Sequence, residues 1–497
     1  MTLKNSLVER SDQVRQVLAE VLGQVSPVSA QGSLRWRVLL LWYLLTNAPH
    51  LGLLNSIFWD DWPWIKPGEG FQQSCPVDNC KIPFTSIYMT PMLELGVWSL
   101  HVLTFLVFGV IGWLFNQLLK YSLVLSEWQQ AIATSLFFLM PINGARVALV
   151  VLPYLLMLLL FFAGAALLTR ETALATSLGL LLVGLSMFMP SIQVFGLALL
   201  VLLGARDLKR GDRVSRRTWI IAVAAMLLAF VSRYWIPELL VSLGVFSEAI
   251  GYNSIKRAFL LRAILACGLL AAPFLVQILW HFVRNKRLGG FSPSLGGIGL
   301  LLLALGTFPY MSVGHFPNIS DWIEVFLPDN GDWSSRHQVL QGAGYSLLLT
   351  AGLKFVVSDR RDYAAMIAIC VCAVLTFSTF ANYYVDSLKQ RDVINQIRQA
   401  QDELSGVRLL RFDDLALDLN ARGRGIRDYE WQGMVKVALG ADVEIYEESS
   451  PAGPCLTESI GRVIEVRKTG GRLLALLTRS QVVQISIADL IACSKDE

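Results

Sequence analysis

The chain is short of charge. Only 16% of its 497 residues are Asp, Glu, Lys or Arg, where a soluble domain carries about 25%. The formal net charge of +4 is too small to mark a nucleic-acid partner. Seven cysteines are too few for a disulfide-built scaffold. Glycine (38) and proline (18) are at ordinary levels, which excludes collagen-like and low-complexity chains. No P-loop, strand-borne G-x-G-x-x-G, H-E-x-x-H or G-x-S-x-G occurs, so ATP-driven transport and the common soluble hydrolase chemistries have no anchor. Long charged stretches are missing too. In their place stand long apolar runs, with 54% hydrophobic residues and mean hydropathy +0.52.

A run of about 20 apolar residues crosses a bilayer as a helix. Runs near 38–58, 92–115, 124–141, 146–168, 174–189, 191–205, 218–236, 261–283, 294–312, 339–357 and 363–384 predict an all-α polytopic membrane protein of about 11 transmembrane helices. The pair 174–189 and 191–205 is split by Pro190, and each half is short, so a re-entrant pair is the competing reading. Alternating barrel strands are absent. Lys120, Arg170, the Arg206–Arg217 loop with six basic and two acidic residues, Arg284–Arg287 and Arg360–Arg361 share one side. Positive charge marks the cytoplasmic side, so the N-terminus is expected there.

Three domains follow. Residues 1–33 read as a cytoplasmic or interfacial helix, with Leu7, Val14, Leu18, Val21 and Val25 at helical spacing and no signal-peptide h-region. Residues 34–384 form the transmembrane domain, with outer loops 59–91, 237–260 and 313–338. Residues 385–497 turn polar and predict a small α+β extracytoplasmic domain. In it, Thr469-Gly470-Gly471 is a hairpin signal between the apolar runs Arg462–Val466 and Leu473–Leu477. Cys75, Cys80, Cys455 and Cys493 all fall on the outer side, where an oxidising compartment permits disulfides. A metal site is the alternative for Cys75 and Cys80, but no His or further Cys stands nearby to complete a tetrahedral set.

Chemistry-bearing residues gather on the same side. Trp59-Asp60-Asp61-Trp62-Pro63-Trp64 puts two carboxylates among aromatic rings directly after the first span, a setting that tunes a carboxylate toward general-base work; a solvated loop with interfacial aromatics is the bland alternative. Asp332-Trp333-Ser334-Ser335-Arg336-His337 precedes a late span. An outward-facing Arg there suits a phosphate, against the alternative of snorkelling. Arg146, after Pro141-Ile142-Asn143-Gly144, and Arg233 add to a basic rim, with Lys256, Arg257 and Arg262 nearby. His50, with Asn47 and Pro49, makes the first span polar, which fits packing between helices better than a cavity lining.

These features together resemble the GT-C class of membrane glycosyltransferases, which includes the protein O-mannosyltransferases and bacterial relatives. The resemblance rests on the acidic pair in the first outer loop, the W-x-x-R-H stretch Trp333–His337, the run from Leu136 through Pro141 to Arg146, and a soluble outer tail. It implies a polyprenyl-phosphate sugar donor, a glycan, lipid or protein acceptor, Asp60 or Asp61 as catalytic base, and Arg336, His337, Arg233 and Arg146 at the donor phosphate. It implies no nucleotide cofactor; a divalent cation is compatible, although no acid set marks its ligands. A bacterial inner membrane with a periplasmic tail is the expected location. A polymerase or ligase of lipid-linked glycans, a lipid or solute carrier, and a scaffold with a partner-binding tail are the other readings.

Overall fold

The computed structural model describes residues 24–29, 31–58, 61–64, 85–123, 125–170, 172–209, 215–242, 257–285, 294–312, 341–440, 443–445, 461–478 and 481–489. Among them, five helices are long and apolar enough to cross a membrane: Val97–Tyr121, Leu149–Leu168, Phe259–Asn285, Leu295–Ser312 and Arg360–Gln399. Trp36–Thr46, Ala173–Ser186, Ser191–Gly204 and Gly342–Leu353 are shorter apolar helices. The expected spans therefore differ in grade. Proline sets several of the limits by removing a backbone donor. The first helix stops at Thr46 before Asn47-Ala48-Pro49, and Pro141 ends the helix Glu127–Leu139. That helix starts on a reciprocal cap, in which Ser126 accepts from the Gln129 N–H and Gln129 accepts from the Ser126 N–H. Most of the expected N-terminal helix of residues 1–33 lies outside the described residues.

Lipid-facing surface is plain on the helix Arg257–Asn285. Leu261, Leu265, Leu269, Val276, Leu279, Trp280 and Val283 are all exposed, Leu269 by 76%. A water-facing helix does not display so continuous an apolar surface. Elsewhere the helices touch backbone to backbone. A Cβ built on Gly164 would lie 2.7 Å from the Gly179 carbonyl oxygen, and one on Gly344 would lie 2.8 Å from that of Gly299. Small residues permit such approaches where no hydrophobic effect drives helices together.

The bundle has two chemically distinct ends. At one, Arg206 donates to the Thr169 carbonyl, Arg217 donates to the Arg170 carbonyl, Trp128 Nε1 donates to Asp362, and Arg361 stacks 4.6 Å over the Trp128 ring. The opposite end holds Ser56, Asp61 and the turn 141–151. Helix Leu152–Leu168 connects the two, since it leaves the Asp61 end and reaches Thr169–Arg170 at the basic end.

The longest helix, Ser358–Gln399, has 42 residues, about 63 Å at 1.5 Å per residue. That is about twice the hydrocarbon core. Its apolar half belongs to the bundle, and its polar half is the spine of the C-terminal domain, so the boundary expected after Tyr384 falls inside one continuous helix. The domain adds a four-stranded sheet in the order β2-β1-β3-β4, with β1 Leu409–Asp414, β2 Glu444–Ile445, β3 Gly461–Lys468 and β4 Val483–Asp489. β1 is parallel to β2 and β3; β3 and β4 are antiparallel. Helix Asp428–Leu439 covers it, with Trp431 stacked on Phe412 at 4.3 Å and Gly440 ending the helix at φ +70°. The hairpin expected at Thr469-Gly470-Gly471 takes another form. Leu473–Leu477 is helical, as a run of Leu and Ala without β-branching favours, and the strand that pairs with β3 is β4.

Candidate functional site

Asp61 opens the one-turn helix Asp61–Trp64. It is only 1% exposed. Its two carboxylate oxygens accept the backbone N–H groups of Leu149 and Val150, each at 2.7 Å. Those groups belong to the 3-10 turn that leads into helix Leu152–Leu168, whose first donors have no partner within the helix. Asp61 thus caps a helix 88 residues away in sequence, and negative charge at a helix start is favourable. This carboxylate holds two loops together.

Its neighbour Trp62 carries the contact further. The indole packs in one apolar cluster with Leu100, Leu149, Leu152, Trp431 and Met434. A Cβ built on Gly433 would stand 2.4 Å from the Trp62 ring, so glycine is needed there for helix Asp428–Leu439 to close over the acidic turn. The C-terminal domain is therefore part of this site. Nothing in the sequence apart from the aromatic character of Trp62 pointed to that.

Inside the bundle, next to the turn, lies a buried polar group. Arg146 sits in the 3-10 segment Pro141–Val147. Its guanidinium lies 3.8 Å over the Phe108 ring and 5.3 Å from that of Phe380, and it interacts with the Tyr43 hydroxyl, which itself donates to the Phe105 carbonyl at 2.8 Å. Sequence reasoning set Arg146 on an outer rim. The structure instead packs it among rings, where a cation is stabilised by aromatic faces. His50, 2% exposed, stacks on the other ring of this set, Phe380, at 5.1 Å, and meets His101 edge-on at 5.7 Å. His101 Nε2 bonds the Ser56 carbonyl at 2.9 Å. Among the described residues, both His50 ring nitrogens, His101 Nδ1 and Asn47 Oδ1 find no hydrogen-bond partner. His101 was missed in the sequence because a single His in an apolar helix carries no pattern.

A second ionic cluster locks the C-terminal domain to the long helix. Lys389 Nζ, fully buried, donates to both oxygens of Asp414 at 2.6 and 2.7 Å, to Asn420 Oδ1 at 2.6 Å and to the Ala416 carbonyl at 3.0 Å. Asp386 accepts from the Ala421 N–H and from Gln390. Arg424 makes a two-pronged pair with Glu430 at 2.6 and 2.8 Å. Burial works against the Arg424 charge, but Asp386 and Glu430 outweigh it and push its pKa above the ordinary value. Each charge has a partner, which is what burial requires.

Among the described residues, no three His, Cys, Asp or Glu side chains group as metal ligands. The bundle also holds a small cavity of about 20 Å³ lined by apolar side chains only, among them Phe115, Phe161, Phe195, Leu302 and Leu347; that is room for about one water-sized molecule and for no sugar, phosphate or acyl chain.

The remaining sequence candidates fall on either side of what is described. Asp60, Arg336, His337, Cys75, Cys80, Cys455 and Cys493 lie outside the described residues, and Arg233 lies on helix Arg216–Ser242 with its side chain outside them. The points where the chain leaves for these segments are defined. Helix Arg216–Ser242 starts at the basic end, where Arg217 is held, and finishes away from it. Helices Leu295–Ser312 and Gly342–Leu353 pack antiparallel, with Gln341 donating to Thr307 at 3.0 Å, and the second runs toward the basic end. Segments 59–60, 243–256 and 313–340 thus all depart from the end that carries Asp61. No family model matches the chain, and no curated protein or solved structure matches it.

Proposed function

We propose that the chain is a membrane-embedded glycosyltransferase that moves a sugar from a polyprenyl-phosphate donor to an acceptor hydroxyl. The observation that supports this reading is at one end of the bundle: the Asp61 turn and the C-terminal domain meet there, and helices Arg216–Ser242 and Leu295–Ser312 end there. Lys and Arg crowd the other end, which by the positive-inside rule faces the cytoplasm. The working end then faces outward, toward the periplasm in a bacterial inner membrane, and the shorter helices complete about 11 crossings.

The two acids divide the work in this proposal. Asp61, with both oxygens engaged by backbone amides, is the positioning residue. Asp60, the residue before it in the chain, is the base. Asp60 takes the proton of the acceptor hydroxyl; the hydroxyl oxygen bonds the anomeric carbon; the bond from that carbon to the phosphate oxygen breaks, and its electron pair leaves with the lipid phosphate. Arg336, with His337 and Arg233, stabilises charge on that leaving group. A single displacement inverts the anomeric centre.

The test uses the full chain in liposomes with a radiolabelled polyprenyl-phosphate sugar. Asp60→Asn is expected to abolish transfer and to leave the thermal midpoint unchanged. Asp61→Asn lowers the midpoint, because an amide nitrogen would oppose one of the two N–H donors. Arg336→Ala weakens donor binding more than Arg336→Lys, which keeps the charge but loses the fork. Full activity in Asp60→Asn sinks the base assignment. If Arg336→Ala is inactive in that case, the polymerase or ligase reading, which relies on Arg and His, takes its place.

A further inference from the structure

Helix Arg472–Thr478 is built inside out for a protein surrounded by water. Leu473 and Leu477, one turn apart on one face, are 70% and 74% exposed, and Leu476 beside them is also exposed, while the small Ala475 points into the domain at 2%. Leu415 and Leu417 extend the apolar surface. A surface helix in water buries its leucines and shows its polar residues.

The position of this helix is fixed by Arg472. Its guanidinium donates to Asn382 Oδ1 at 3.3 Å, to the Asn420 carbonyl at 3.2 Å and to the Asp418 carbonyl. Asn382 lies on the long helix in line with the exposed stripe Ile367, Val371 and Val374, each a helical step of three or four residues apart with Ser378 between. Phe377 is the last large exposed apolar residue of that helix. Asn382 is five residues beyond it, about 7.5 Å along the axis. Arg472 therefore grips the long helix on the side of its exposed stripe, about one turn and a half past the last large exposed apolar residue.

We propose that helix Arg472–Thr478 lies in the membrane interface, with Leu473, Leu476 and Leu477 in the outer part of the acyl layer and Arg472 at the headgroups. The occupant of this apolar face is the leaflet from which the long helix emerges. The hold of Arg472 on Asn382, on the side of the long helix that carries the exposed apolar stripe, argues for lipid over a second protein. The inference rests on the chain being a membrane protein and is independent of the transferase reading.

The experiment places a photoreactive benzoylphenylalanine at position 477 or 484 in the full chain, reconstituted in phosphatidylethanolamine and phosphatidylglycerol vesicles. Gln484 is an exposed control on β4, whose neighbours Val483 and Ile485 bond Gln396; Gln396 is fourteen residues beyond Asn382, about 21 Å farther from the bilayer. Irradiation is expected to attach phospholipid to position 477 at least about tenfold more than to 484, as an interfacial helix requires. With the reporter moved to 476, Leu473→Ser with Leu477→Ser lowers lipid attachment. These leucines are on the surface, so the fold stays intact. Equal lipid yields at 477 and 484, or attachment of 477 to a protein chain, a second copy included, overturns the proposal. Loss of sugar transfer alongside intact lipid attachment would count against the transferase alone.

Discussion

The part a carboxylate plays depends on what it meets in space. Asp60 and Asp61 are indistinguishable by type and spacing, and their sequence showed only that two acids follow the first span. What holds Asp61 is a pair of backbone amides 88 and 89 residues downstream, and amides leave no mark in a sequence. Arg146 was visible as a charge beside an apolar helix, but its ring box of Tyr43, Phe108 and Phe380 draws on three separate helices. Two residue-scale predictions follow from charges with well-defined partners. Lys389→Met strips Asp414 and Asn420 of a buried donor and is expected to destabilise the C-terminal domain by about 3–5 kcal/mol; a thermal midpoint equal to wild type would show the contact to be idle. Asp207 accepts from Thr218, the Ser215 N–H and Arg206. Burial opposes its charge, yet those donors prevail and lower its pKa below the ordinary 3.8. Its contribution to stability is therefore complete above about pH 3.8 and is lost as pH falls through the lowered value. The stability gap between wild type and Asp207→Asn should be full at pH 7 and should close in acid; a gap that widens in acid would reverse the assignment.

At the scale of elements, apolar run length revealed most helices, because hydrocarbon thickness sets the length of a crossing. It missed the continuity of Ser358–Gln399. The charges of Asp386, Lys389 and Asp392 look like a domain boundary, but the C-terminal domain buries or pairs them, so the helix continues. It also misjudged Leu473–Leu477, whose helical form follows from local propensity once the pairing of β3 is taken by β4. Packing between helices was illegible, since glycine in a membrane helix does not say what it touches. The contacts now set a clear contrast. Gly344→Ala drives a methyl group against the Gly299 carbonyl and Leu303 and is expected to cost about 1–3 kcal/mol. Gly352→Ala, on the same helix, meets nothing within 4 Å and should be neutral or slightly stabilising. The two thermal midpoints, measured side by side, test whether the two helices touch backbone to backbone.

For the whole molecule, charge asymmetry was the most legible property. Basic loops far apart in sequence, at Arg170, Arg206–Arg217 and Arg360–Arg361, are placed on one end by alternating helix directions. The opposite end collects the acidic turn, the departure points of two longer segments and the C-terminal domain. That the domain closes over the acidic turn through Trp62 and Gly433 was not foreseeable, because it depends on a tertiary fit.

The single rod Ser358–Gln399 has a mechanical consequence. Half of it packs in the apolar bundle with one stripe exposed, and the other half is bolted to the sheet domain by Lys389, Asp386 and Arg424 with no hinge between. Any change in how steeply the bundle half leans, such as a thinner or thicker bilayer imposes, must swing the domain as a lever arm. Since that domain presses on the turn of Asp61, the thickness of the surrounding membrane becomes an input to the geometry of the site.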